Sequence, residues 1–181
     1  MYSIGDKVVY PHHGAGKITG IEQRDVLGRQ RDYLTIQILH NNMTVMVPVE
    51  NAERAGLRKV VEAGAVDDVL DVLRGDRTSM PKNWSHRYKH NQEKLRTGDI
   101  FEVAEVVRNL TLSGADKELP TGEKQLFSKA KKILASELMY ARDLSEDDAA
   151  AFLDGVLDDI IVEAAAPADD TPTSAPAPLT C

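Results

Sequence analysis

Cysteine occurs once in the 181 residues, as the terminal Cys181, so no internal disulfide forms and a reducing, cytoplasmic setting is expected. No run of about 18 apolar residues exists, which excludes a membrane-spanning helix. The start, MYSIGDKVVYP, lacks a basic region followed by an apolar core, so no secretory signal is expected. Catalytic signatures are missing too: there is no G-x-x-x-x-G-K-[ST] phosphate loop and no G-x-S-x-G elbow. The glycine-containing Pro11-His12-His13-Gly14-Ala15-Gly16 leads from one strand into another, without the helix N-terminus that cradles phosphate. An enzyme is not expected, and neither is a cofactor.

Lysine and arginine vanish after Arg142, where ten acids stand: Asp143, Glu146, Asp147, Asp148, Asp154, Asp158, Asp159, Glu163, Asp169 and Asp170. The overall formal charge is −7, from 22 bases and 29 acids, so residues 1–142 hold 22 bases against 19 acids, a formal +3. Within Arg77–Arg96 stand six bases (Arg77, Lys82, Arg87, Lys89, Lys94 and Arg96) and one acid, Glu93. Such asymmetry points to an anionic partner for the basic segment. The only tryptophan, Trp84, lies in that segment.

The pattern along the chain predicts an α+β protein, a small antiparallel β module followed by a compact helical module. Lys7–Tyr10, Ala15–Val26, Tyr33–Leu39 and Met43–Pro48 read as strands, with turns at Leu27-Gly28-Arg29 and His40-Asn41-Asn42. Some fifty residues make a thin core, so this module needs support from the next. Helical periodicity begins at about Gly56, with Val66–Arg74, a helix after Pro81 capped by Asn83 and stopped at Thr97-Gly98, then Ile100–Leu112, Glu123–Arg142 and a last helix from Ser145 to about Val162. The expected boundaries are 1–55 for the β module, 56–162 for the helical module and 163–181 for a disordered acidic, proline-rich tail.

Two readings of Trp84 compete at this level. Positions 84, 87, 88 and 91 share one helix face, and a tryptophan there belongs in a core. Yet Trp84 falls on the first turn, among bases, where an apolar wedge into a DNA minor groove flanked by phosphate-binding cations is an established arrangement. Arg87 and Lys82 are candidate DNA contacts from local charge. A metal site at His12, His13 and His40, or at His86 and His90, is not expected, because no acid or cysteine completes a ligand set and cations surround the second pair.

GDKVVYPHHGAGKITGIEQR, PVENAERAGLRKVV, NWSHRYKHNQEKLRTGDIFEVAEVVRNL and GEKQLFSKAKKILASEL, in this order, resemble the CarD/CdnL family of bacterial transcription regulators over about residues 1–160. The actinobacterial members look closest. The resemblance implies a Tudor-like first module that binds the β subunit of RNA polymerase, and a helical module that contacts promoter DNA. It further implies that Trp84 wedges into the minor groove at the upstream edge of the transcription bubble and stabilises the open promoter complex, ribosomal RNA promoters included. Lys89 and Lys124 match basic DNA-contacting positions, and Arg24 and Val26 match a polymerase-facing strand. Met46 stands where some relatives carry an arginine, and is assigned to the same interface. A cytoplasmic monomer is expected. The rival reading is a protein-interaction adaptor with Trp84 in its core and an acidic protein on its basic helix; an unrecognised nuclease at His86 and His90, and a general duplex-DNA binder, are weaker rivals.

Overall fold

Alternating apolar residues build the first half of the protein, whose computed structural model describes residues 1–166. Strands β1 (Lys7–Tyr10), β2 (Gly14–Val26), β3 (Arg29–Ile38), β4 (Thr44–Pro48) and β5 (Arg58–Lys59) form one antiparallel sheet in the order β4-β3-β2-β1-β5. Leu34, Ile36 and Ile38 point to the same face of β3 and bury against Val8, Ile18, Val47 and Leu57. Strand β5 lies beyond the boundary expected at residue 55. It has two residues and no alternation to read, and only its pairing with Val8 and Val9 makes it a strand.

Beyond this small core β2 and β3 continue as a two-stranded ribbon, exposed from Ile21 to Gln30. Its tip is a two-residue turn, Leu27-Gly28, with φ values of 55° and 75°. Positive φ at both positions matches the twist of a hairpin, and glycine adopts it freely.

The second half is five helices, α1 (Ala65–Arg74), α2 (Trp84–Thr97), α3 (Ile100–Asp116), α4 (Thr121–Arg142) and α5 (Glu146–Ala165). Helix α3 is the hub, with Val103, Ala104, Val106, Val107 and Leu110 all buried against the other four. Side chains of Asn83, Asp99 and Ser145 cap α2, α3 and α5. Helix α5 extends past the expected end at Val162 and includes Glu163, which was assigned to the tail. The rest of the expected disordered tail, 167–181, lies outside the described residues.

The β module leans on α4. Ala15 N–H donates to Ser136 Oγ at 3.0 Å. Arg58 grips the buried Glu137 carboxylate with two bonds of 2.6 and 2.9 Å and also donates to the Gly98 carbonyl. Pro11 is seated against Gly56 and Gly98, where an added Cβ would come within 2.7 and 2.9 Å of its ring.

Candidate functional site

Pro81 and Asn83 set the start of α2. The Asn83 side chain accepts from the N–H groups of Ser85 and His86, so α2 starts here and Trp84 becomes its first helical residue. Further along the same face Tyr88 packs on the core and Asn91 is fully buried. Trp84 overhangs the end of that face and is 57% exposed. It is therefore not a core residue, and the core placement that the adaptor reading gave it is corrected. Beside it runs an open groove of about 1350 Å³, walled by the loop from Arg77 to Asn83 and by the α3–α4 connection, Lys117 to Gly122.

The basic residues divide into two groups. Lys82, Lys89 and Lys124 are exposed. Lys89 lies 4.0 Å from Glu93, and Lys124 bonds Glu118 at 2.5 Å, both on the solvent side, where water screens such pairs. Arg87 behaves differently. Its Nε and Nη2 bond both oxygens of Glu123 at 2.6 and 3.0 Å, and Glu123 is completely buried. The hydrogen bond to Glu123 raises the Arg87 pKa further above its ordinary range, against the pull of burial. Arg87 was expected to contact DNA; instead its donors are committed inside the protein. Two other bases of the segment are also held: Arg77 pairs with Asp116, and Lys94 with Glu102 and Glu105. Burial lowers the pKa of Lys94, but the bonds to Glu105 and Glu102 outweigh it and raise it. The positive patch is smaller than the residue count of the segment.

On the sheet, strand register brings the other candidates together. Arg24 pairs with Arg31, Val26 with Arg29, and Met46 with Thr35. Since residues 31, 33 and 35 share a face of β3, the side chains of Arg24, Val26 and Met46 belong to one face of the sheet, opposite the core. Arg24 and Val26 are exposed on the ribbon; Met46 is half-buried on β4, the sheet's outer edge. Arg24 reaches only Glu22, at 3.1 Å.

His12 occupies the β1–β2 turn with φ of 71°, and His13 stacks on Tyr10. His40 lies near this turn, where it meets α4, and His12 Nδ1 is 3.3 Å from Lys129 Nζ. Burial lowers all three pKa values from 6.5, helped by Lys129 for His12 and His13 and chiefly by Lys132 for His40. Cations among imidazoles oppose a metal ion, and no cluster of metal-ligating side chains is found among the described residues.

Comparison with known proteins covers both halves. The family described as CarD, C-terminal domain matches residues 68–154, and the CarD-like/TRCF RID domain matches residues 2–61. YdeB of Bacillus subtilis (strain 168), named as a candidate transcription factor, is 35% identical over 152 residues, which span 84% of this chain and 99% of YdeB. Among solved structures, the 72-residue N-terminal domain of Myxococcus xanthus CarD is 30% identical, covering 33% of this chain and 79% of its own, with a TM-score of 0.29. CdnLNt from the same organism is 36% identical, covering 34% and 86%, with a TM-score of 0.30.

Proposed function

The chain belongs to the CarD family of transcription regulators, and we propose that it binds the β subunit of RNA polymerase through its sheet and promoter DNA through its helical half. Trp84 enters the minor groove at the upstream edge of the bubble. There it slows reannealing and stabilises the open complex. The observation that carries this reading is the placement of Trp84: the one tryptophan is 57% exposed at a capped helix start, with Lys82 just before it. An apolar ring of this size left in water gains from insertion between unstacked base pairs. Lys82, Lys89 and Lys124 would supply phosphate contacts through counterion release, which gives affinity without sequence preference.

Arg24, Val26 and Met46 are assigned to the polymerase contact. The free edge of β4 suits pairing with a strand of another protein, in which backbone bonds tolerate methionine in place of arginine. Methionine also packs adaptably on an apolar surface. Neither contact need be strong, because tethering raises the effective concentration of the second once the first is made. Stabilisation then comes from differential affinity: a wedge fits opened DNA better than closed duplex.

Photocrosslinking tests this placement. With a photoreactive benzoylphenylalanine in place of Trp84, polymerase complexes on a premelted promoter should crosslink at the upstream fork. The same promoter kept fully duplex should give little product there. Equal crosslinking along both would contradict the wedge.

A further inference from the structure

We infer that the Arg87–Glu123 ion pair is a positioning clamp that fixes the DNA-contacting edge, an inference that rests on the reading of Trp84 as the wedge. The pair joins two helix starts. Arg87 stands one turn after Trp84 on α2, and Glu123 immediately precedes Lys124 in the first turn of α4. Two bonds of 2.6 and 3.0 Å lock the guanidinium onto the carboxylate in a planar fork. The remaining Arg87 nitrogen, Nη1, donates to the Lys82 carbonyl at 3.2 Å and, at a longer 3.4 Å, to that of Pro81. Those carbonyls belong to the two residues just before the cap, Asn83. One side chain thus ties the approach to Trp84, the first turn of α2 and the first turn of α4 into one unit. Behind it Tyr88 lies against Gly122, 3.7 Å from where a Cβ would stand.

This arrangement answers a mechanical need. Helix ends fray, and an exposed ring on a first turn would swing with its end. A wedge that must be ordered at the moment of insertion loses part of its binding free energy to that ordering; one already held does not. Stability alone does not require an ion pair here, since a buried pair can often be replaced by apolar side chains at no loss of stability. A lysine would not serve, because it lacks the planar fork that meets a carboxylate and a carbonyl together. Nor is Arg87 free to meet a phosphate, as leaving Glu123 would strand a buried carboxylate.

Because Trp84 is the only tryptophan, its fluorescence reports on this edge alone. The variants are Arg87→Lys, Glu123→Gln and the apolar double replacement Arg87→Met with Glu123→Leu, each in the full chain. Time-resolved anisotropy should show a larger fast-decaying component for Trp84 in all three. The double variant should keep its thermal midpoint within a few degrees, which separates positioning from folding. Its extension of open-complex lifetime should fall by about threefold or more, with polymerase affinity unchanged. Unchanged anisotropy in the double variant overturns the clamp. So does a loosened Trp84 with full lifetime extension, where Trp84→Ala abolishes that extension. If Trp84→Ala itself has no effect on lifetime, the wedge reading falls, and the anisotropy result alone upholds or overturns the clamp.

Discussion

Trp84 and Arg87 are one turn apart and have opposite surroundings. Trp84 is largely exposed, so Trp84→Ala should change stability by no more than about 0.5 kcal/mol in urea unfolding. A core tryptophan would cost about 3–5 kcal/mol. Lys89→Ala and Lys124→Ala should each reduce the salt dependence of DNA binding by about one unit of slope, without changing the fold. The position of Trp84 was legible in the sequence because its causes are local: Pro81, the Asn83 cap and the first turn are neighbours in the chain. The role of Arg87 was not, because its partner Glu123 is distant in sequence and a charge count does not reveal pairing. Lys94 was hidden in the same way by Glu102 and Glu105 on the next helix.

Among the elements, the turn at Leu27-Gly28 and the strand from Tyr33 were readable, and so was the stop of α2 at Gly98, whose φ is 74°; the arm Arg29 to Asp32 of β3 was not, because it is polar throughout. Strand β5 was not readable, nor was the seam, which is built from single residues far apart in sequence. Pro11 meets Gly98 because nothing larger fits. Gly98→Ala should therefore destabilise by at least about 1–2 kcal/mol from the left-handed backbone, before the clash with the proline ring is added. Arg58→Ala leaves Glu137 buried without its cation, at a cost of about 3–5 kcal/mol in the same unfolding measurement. By contrast, Arg24→Glu on the exposed ribbon should leave the unfolding curve unchanged while weakening polymerase binding in a pull-down titration.

For the whole molecule, the seam makes stability depend on pH. His12, His13 and His40 have folded pKa values below 6.5, through burial first and neighbouring lysines second. Such a group takes up its proton more readily in the unfolded chain. Its contribution is complete above pH 6.5 and is lost as pH falls through the lowered folded values. The urea midpoint should therefore drop between about pH 7.5 and about pH 5.5, and His40→Gln should flatten that drop. Carboxylates such as Glu105, with an ordinary value of 4.5, act at lower pH. In the proposed function this seam also sets how the sheet and the Trp84 edge would face two partners at once, which tethered binding requires.

Open-complex lifetime on a ribosomal RNA promoter shows whether Trp84 holds the bubble open, as proposed. Purified polymerase would be compared alone, with this protein, and with Trp84→Ala of verified fold and polymerase affinity. The lifetime should be longer with the intact protein and fall back in the variant, since about 1.4 kcal/mol of differential binding shifts open against closed complex tenfold. A folded, polymerase-bound variant that extends the lifetime as much as the intact protein would contradict it.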